Sequence, residues 1–240
     1  VPVIGLFIML AWGGAEFASQ WRYQRVVLAC LSASALTAML ILSFLQINHW
    51  RDSILLFQHG IQATGGTWMM HNNLANALNK KGKSIEAIQH YNHAFKLDPP
   101  DPEGVHYNLA IALTSTGSLQ EAIAHYHEAI RINPDYADAH VNLGAALARL
   151  GKTDEARHHY FEALRVDPDF TQANYNLANL LLAKGETDAA IHRYSKAVRV
   201  DPLFVESYNG LGLALMQTGK LEEAILCFRK ATSIRPSFRD

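Results

Sequence analysis

The chain has 240 residues, of which 49% are hydrophobic and 18% charged, and its formal net charge is −1. This near-zero charge excludes a strongly basic nucleic-acid-binding protein and a protein with a long acidic tail. Cys30 and Cys227 are the only cysteines, and two thiols so far apart in sequence support neither a disulfide framework nor a zinc ribbon.

The first residues form an apolar segment, VPVIGLFIMLAW, which reaches only about 18 Å as a helix and is too short to cross a bilayer alone. We interpret residues 1–19 as a truncated membrane helix. A signal peptide is the alternative, and Gly13, Gly14 and Ala15 are the only small residues that suggest a cleavage site.

A second apolar segment begins at Val26 and runs for twenty residues without a charge. As a helix it is about 30 Å long, which matches the hydrocarbon core of a membrane. Trp21 and Trp50 flank it, at positions where aromatic rings favour the membrane interface. We therefore predict a transmembrane helix at residues 26–46 that contacts the lipid bilayer. A buried core helix is the alternative.

The charges around this segment predict which side of the membrane the rest of the chain occupies. Arg22 and Arg25 precede the segment, whereas Arg51 alone follows it closely. The positive-inside rule then places everything after residue 46 outside the cytoplasm, in a periplasm or lumen.

From residue 66 onward the sequence repeats with a period of 34 residues. Glycine, alanine, aromatic and proline positions recur in register, and the glycines of the last four units are Gly117, Gly151, Gly185 and Gly219. This period and pattern predict pairs of antiparallel helices, each first helix ending at the glycine and each second helix at the proline. Five full repeats fit the pattern, at residues 68–101, 103–136, 137–170, 171–204 and 205–238, and a half repeat at 52–65 precedes them.

The first helices carry a regular series of asparagines. The residue before the inward-facing leucine is Asn73, Asn108, Asn142 and Asn176 in the first four repeats and Gly210 in the fifth. A carboxamide offers donors and an acceptor that can pair with the backbone of an extended peptide. We call these four asparagines the asparagine ladder and predict that they bind peptide, with Asn76 and Asn179 one turn further along. The alternative is that the asparagines cap or cross-link neighbouring helices.

The twelve histidines suggest a metal site, because His71, His106 and His140 occupy the same repeat position. Equivalent residues of adjacent repeats are about 8–10 Å apart, which is too far for joint coordination. We therefore expect no metal site, no cofactor and no catalytic residues in this chain.

The repeats resemble those of the tetratricopeptide family throughout residues 52–240. Their Asn-Leu-(Gly/Ala) motif is similar to the array of the nucleocytoplasmic O-linked N-acetylglucosamine transferase, and this resemblance implies that the asparagine ladder holds acceptor peptide backbone. The apolar spans, followed by Trp50-Arg51-Asp52-Ser53, are similar to multi-spanning O-mannosyltransferase-like proteins with extracytoplasmic repeats. That resemblance implies an enzymatic parent protein but supplies no active site here, because no position matches the acidic loop of that family.

Together these features predict an all-α chain, a tetratricopeptide superhelix preceded by one truncated and one complete transmembrane helix. The predicted function is a membrane-anchored module that binds proteins or extended peptides in its concave groove. A C-terminal part of a membrane glycosyltransferase is the second hypothesis, and an assembly scaffold for secretion or envelope machinery is the third.

Overall fold

The computed structural model describes residues 26, 30–39 and 53–236 of the chain. The chain divides into two units, Val1–His59 and Gly60–Asp240. In the first unit residues 30–39 are helical, and the hydroxyls of Ser34 and Thr37 donate hydrogen bonds to carbonyl oxygens of that helix. These two hydroxyls are therefore satisfied within the helix.

The two predicted membrane helices fall largely outside the described residues. None of the predicted helix at residues 1–19 is described, and of the predicted span 26–46 only residue 26 and residues 30–39 are. Within the described part of the chain, no helix combines the length and the apolar character that crossing a membrane requires.

Eleven helices fill the described range 53–236, and no strand occurs within it. In chain order they are α1 (Ser53–Thr64), α2 (Trp68–Lys80), α3 (Ser84–Lys96), α4 (Pro102–Thr116), α5 (Leu119–Ile132), α6 (Ala137–Arg149), α7 (Thr153–Val166), α8 (Thr171–Ala183), α9 (Thr187–Val200), α10 (Val205–Gln217) and α11 (Leu221–Ile234). From α2 onward each even-numbered helix packs against the odd-numbered helix that follows it, so that five helical hairpins form one stack.

The turn inside each hairpin depends on the glycine at the end of its first helix. Gly117 has φ +86°, in the left-handed region that residues with a Cβ rarely adopt. The amide of the next residue, Ser118, donates to the carbonyl oxygen of Leu113 at 2.9 Å, which closes the helix end. The equivalent glycines have the same conformation, with φ between +77° and +79°, at Gly82, Gly151, Gly185 and Gly219.

Small and aromatic side chains fill the space between the two helices of a hairpin. In the third hairpin Ala156 and Ala163 are completely buried on α7, and the ring of Tyr160 lies between them in sequence and is also buried. The absent side chain of Gly144 on α6 leaves room for this ring, because a Cβ there would lie 2.6 Å from Tyr160 Cε1. The repeated pattern of alanine and tyrosine therefore encodes close packing of α6 on α7.

The stack curves, and the first helices lie on its inner side. Each first helix contacts the first helix of the next hairpin, in the pairs α2–α4, α4–α6, α6–α8 and α8–α10. No such contact joins successive second helices in the range 60–236. Helices α2, α4, α6, α8 and α10 therefore line the concave surface, which is where the asparagine ladder was predicted to lie.

One connection departs from the repeat geometry. Asp98, which follows α3, has φ +50°, whereas the corresponding Asn133, Asp167 and Asp201 are extended. An additional residue in the segment Pro99–Pro102 lengthens this connection, and the left-handed conformation of Asp98 redirects the chain into α4.

Candidate functional site

The asparagine ladder lies on the concave surface, one residue from the packed interior. The leucines that follow its members are buried, with no more than 1% of each residue exposed, and they fix the orientation of the first helices. The four ladder residues themselves, Asn73, Asn108, Asn142 and Asn176, are half-buried. They are therefore held by the surrounding packing and still reach the surface of the groove.

Two ladder residues have side-chain partners within the stack. The Asn142 amide donates to the hydroxyl of Tyr107 in the preceding repeat at 3.0 Å, so this residue does cross-link neighbouring repeats. The Asn176 carbonyl oxygen accepts from Gln172, one turn earlier on α8, at 3.2 Å. Asn73 and Asn108 make no side-chain hydrogen bond to any other residue in the described part of the chain. Their carboxamides are available to a ligand.

The two asparagines of the second predicted column support buried tyrosines. The Tyr91 hydroxyl donates to Asn76 at 2.6 Å, and the Tyr194 hydroxyl donates to Asn179 at 2.5 Å. Burial raises the pKa of both phenols, so both remain donors at neutral pH. The carbonyl oxygens of Asn76 and Asn179 are therefore occupied, and only their amide hydrogens remain for a peptide.

The ladder stops at Gly210 for a steric reason. A Cβ at this position would lie 2.5 Å from Tyr194 Cε1 and 2.6 Å from Cζ. The ring of Tyr194 is only 1% exposed and fills the space that an asparagine side chain would need. On the same helix of the fifth repeat, the side chains of Leu213 and Met216 are exposed.

Aromatic residues beside the ladder were not predicted from the sequence. Tyr107 packs on Tyr136 with ring centroids 4.8 Å apart, and Tyr175 packs edge-on to Phe204 at 5.2 Å. Phe204 also lines a surface hollow of about 380 Å³ that extends to Gln172, the partner of Asn176. The sequence feature that could have predicted them is the residue before the ladder asparagine, which is tyrosine in the second and fourth repeats.

The helix face immediately around the ladder carries little charge. Residues four before and three after each of the four ladder asparagines and Gly210 share the helix face of that position. These ten residues are Met69, Gly104, Asp138, Gln172 and Glu206, together with Asn76, Ile111, Ala145, Asn179 and Leu213. Two of them are acidic and none is lysine or arginine, so this face has no cationic cluster for an acidic partner.

Three histidines of the first helices each contact a second histidine inside the same repeat, and the sequence did not predict these contacts. His71, His106 and His140 each contact a histidine of the following second helix, with Nδ1–Nδ1 distances of 3.1, 2.9 and 3.0 Å. Their partners are His90, His125 and His159. Within the described residues, no group of three or more histidine, cysteine or acidic side chains has the geometry to hold a metal ion.

Sequence comparison identifies the repeat family along most of the array. Profiles described as tetratricopeptide repeat match residues 70–101, 137–170 and 175–237, and a profile described as TPR repeat matches residues 112–151. No curated protein matches the chain significantly.

Solved structures share the fold. A crystal structure of MamA is 25% identical with a TM-score of 0.60, and the match covers 68% of this chain and 95% of that one. MamA 41-end from Desulfovibrio magneticus RS-1 is 19% identical with a TM-score of 0.62, covering 72% and 97%. YrrB, described as a TPR protein with an unusual peptide-binding site, is 21% identical with a TM-score of 0.58, covering 76% and 93%.

Proposed function

Because the chain carries tetratricopeptide repeats, we propose that their concave surface binds an extended segment of another protein through its backbone. The observation that carries this proposal is the series of half-buried carboxamides at one position of four successive first helices. The likeness to YrrB, a protein described as having a peptide-binding site, supports the same class of ligand.

The spacing of the ladder suits an extended chain. Successive first helices are separated by about 8–10 Å, so four ladder positions span about 24–30 Å. An extended peptide advances about 3.3 Å per residue, and the ladder therefore matches a segment of about eight residues. Asn73 and Asn108 supply the most accessible donors and acceptors, because neither carboxamide has another partner within the described residues.

The low charge of the residues that flank the ladder fits a sequence-tolerant ligand. Backbone amide and carbonyl groups are the same in every residue except proline, so a carboxamide that binds them does not select side chains. The absence of lysine and arginine from the ten residues that flank the ladder disfavours acidic segments. The ligand class that fits best is an extended, largely uncharged peptide segment.

Substitution of the ladder tests this proposal. A variant with Asn73→Ala, Asn108→Ala, Asn142→Ala and Asn176→Ala should bind a mixed library of unstructured peptides at least about tenfold more weakly than the parent chain. Asn92→Ala is the matched control, because Asn92 is exposed on the second helix α3, outside the groove. Equal binding by the parent chain and the ladder variant would disprove the role of the ladder.

We further propose that the array is attached to a membrane through residues 26–46 and lies outside the cytoplasm. The uncharged segment from Val26 and the arginines that precede it support this arrangement. Protease treatment of sealed vesicles tests it: the repeats should be cleaved only from the extracytoplasmic side. Release of the full chain from membranes by high salt alone would contradict the attachment.

A second candidate function is the presentation of acceptor protein to a membrane glycosyltransferase of which this chain is the C-terminal part. The similarity of the apolar spans and the Trp50-Arg51-Asp52-Ser53 segment to O-mannosyltransferase-like proteins favours it. The test is the reading frame upstream of Val1. Further spans with an acidic extracytoplasmic loop would support this function, and an initiation codon immediately before Val1 would exclude it.

A further inference from the structure

Three successive repeats hold their two helices together with the same pair of histidines. His71 and His90 join α2 to α3, and the equivalent residues join α4 to α5 and α6 to α7. We call the contacts His71–His90, His106–His125 and His140–His159 the histidine pairs. All three have Nδ1–Nδ1 distances between 2.9 and 3.1 Å, so each is a hydrogen bond between two ring nitrogens.

A contact of this kind requires one proton between the two nitrogens. In the third pair, His140 Nε2 donates to the carbonyl oxygen of Pro134 at 3.1 Å. Neutral His140 therefore has an unprotonated Nδ1, which accepts from the Nδ1–H of His159. A proton on His140 Nδ1 is compatible with the bond only while His159 stays neutral and accepts it. When both rings are protonated, two donors lie 3.0 Å apart and the hydrogen bond is lost.

The other two repeats lack this chemistry at the equivalent positions. In the fourth repeat Arg193 Nη1 donates to Asn174 Oδ1 at 3.4 Å, so this contact contains no histidine. In the fifth repeat the positions are occupied by Tyr208 and Cys227. The array is therefore divided into three repeats with histidine pairs and two without.

We propose that the histidine pairs make the first three repeats open selectively in acid, while the fourth and fifth repeats stay folded. Protonation of both members of a pair leaves no acceptor between the two rings, so the hydrogen bond that joins the two helices is lost and the two cationic rings repel each other. Acid would thus act on α2–α7 and leave α8–α11 in place.

The charged and titratable groups around each pair change the strength of the acid-induced opening but not its direction. The first pair is faced by His93 and Glu86, the second by Glu121, Glu128 and Arg131, and the third by His127, His158, Glu155, Glu162 and Arg165. Phe95 of the preceding repeat also packs against His106, with ring centroids 4.4 Å apart. Burial lowers the pKa of every paired histidine, and the nearby carboxylates only partly offset it.

His159 sets the size of the expected effect. Burial, followed by His140, His127 and His158, lowers its pKa to about 4 from 6.5. A histidine with a lowered folded-state pKa stabilises the fold above pH 6.5, and this stability is lost as the pH falls from 6.5 toward 4. For His159 alone, the equilibrium constant for opening should increase about 30-fold between pH 7.5 and pH 5.

Hydrogen–deuterium exchange of the full chain, read by mass spectrometry, measures this opening in each helix. Rates are corrected for the intrinsic pH dependence of amide exchange. Protection in α6 and α7 should fall by about 30-fold or more at pH 5 relative to pH 7.5. Protection in α2–α5 should fall as well, and protection in α8–α11 should change several-fold less. An equal fall in all five repeats, or no fall in α2–α7, would overturn the proposal.

Replacement of one pair provides the matched variant. The double substitution His140→Asn and His159→Arg copies the Asn174–Arg193 contact of the fourth repeat and should abolish the acid effect in α6 and α7 only. His192→Asn is the control, because His192 is exposed on α9 and outside the pairs. Retention of the full acid effect in α6 and α7 of the double variant would overturn the proposal.

An NMR titration of the unmodified chain gives a result that does not depend on folding of the variant. The Cε1–H signal of His159 should titrate near pH 4, together with opening of the third repeat. A midpoint near 6.5 with the repeats intact would show that the pair does not resist protonation and would disprove the mechanism.

Discussion

The ring of Tyr194 occupies the space that a side chain at residue 210 would need, which is why Gly210 interrupts the asparagine ladder. A Cβ on Gly210 would lie 2.5 Å from Tyr194 Cε1, and the ring cannot move aside because it is buried and its hydroxyl donates to Asn179. The end of the ladder is therefore a consequence of packing between the fourth and fifth repeats.

This relationship predicts that Gly210→Ala destabilises the array although alanine favours helix. The steric overlap should cost about 1–3 kcal/mol, more than the gain of about 0.5–1 kcal/mol in helix propensity. Urea denaturation should show a net loss of about 1–2 kcal/mol. Gly104→Ala on α4 is the control, because a Cβ at that position would meet no atom within 4 Å, and this variant should be neutral or stabilising. Equal stability changes in the two variants would contradict the packing argument.

Substitution of Gly151, the glycine that ends α6, should change stability only through backbone strain and not through a steric clash. Gly151 has φ +78°, and a Cβ there would meet no atom within 4 Å. Gly151→Ala should cost about 1–2 kcal/mol because alanine is strained in the left-handed region. Gly151→Asn should cost less, since asparagine tolerates this conformation. Thermal denaturation of both variants compares them directly, and an asparagine variant as unstable as the alanine variant would refute the explanation.

The hydrogen bond between Tyr107 and Asn142 should couple the second repeat to the third. Tyr107→Phe and Asn142→Ala each remove it. A double-mutant cycle in urea should therefore give a coupling energy of about 0.5–1.5 kcal/mol. Strictly additive effects would mean that the two side chains contribute independently to stability.

The buried tyrosines predict a loss of stability in alkali. Burial raises the pKa of Tyr160 to about 12 from 10, so the stability that its protonated form provides is intact below pH 10 and lost as the pH rises through 12. This contribution is about 2–3 kcal/mol. Tyr160→Phe should lose less stability than the parent chain between pH 10 and pH 12, as measured by urea denaturation. At pH 7 the variant should differ little, because the hydroxyl makes no hydrogen bond to any other described residue. An unchanged alkaline transition would contradict the assignment.

The hairpins could be predicted from the sequence because each residue that determines them acts through its own backbone conformation or its own side-chain size. Gly117 ends a helix by its backbone conformation, and Ala156 with Tyr160 packs a neighbouring helix by side-chain size. These requirements recur every 34 residues, so the period is visible without coordinates. The concave placement of the first helices follows from the same packing.

The partners of the polar residues could not be predicted in this way. The Asn142–Tyr107 bond crosses between repeats and depends on a tyrosine that occurs only in alternate repeats. The His140–His159 pair joins residues 19 positions apart, and comparison of equivalent positions in adjacent repeats does not reveal a contact inside one repeat. Side-chain hydrogen bonds depend on rotamers and on differences in distance of a few tenths of an ångström, and a sequence pattern specifies neither.

The central claim, that the groove recognises peptide backbone, is tested most directly with N-methylated peptides. A peptide of about eight residues that binds the chain is compared by calorimetry with its copy methylated at alternate backbone nitrogens and with a version of scrambled sequence. The account predicts that methylation weakens binding at least about tenfold, whereas scrambling leaves the affinity nearly unchanged. Binding that survives methylation but is lost on scrambling would show that the groove reads side chains and would contradict the account.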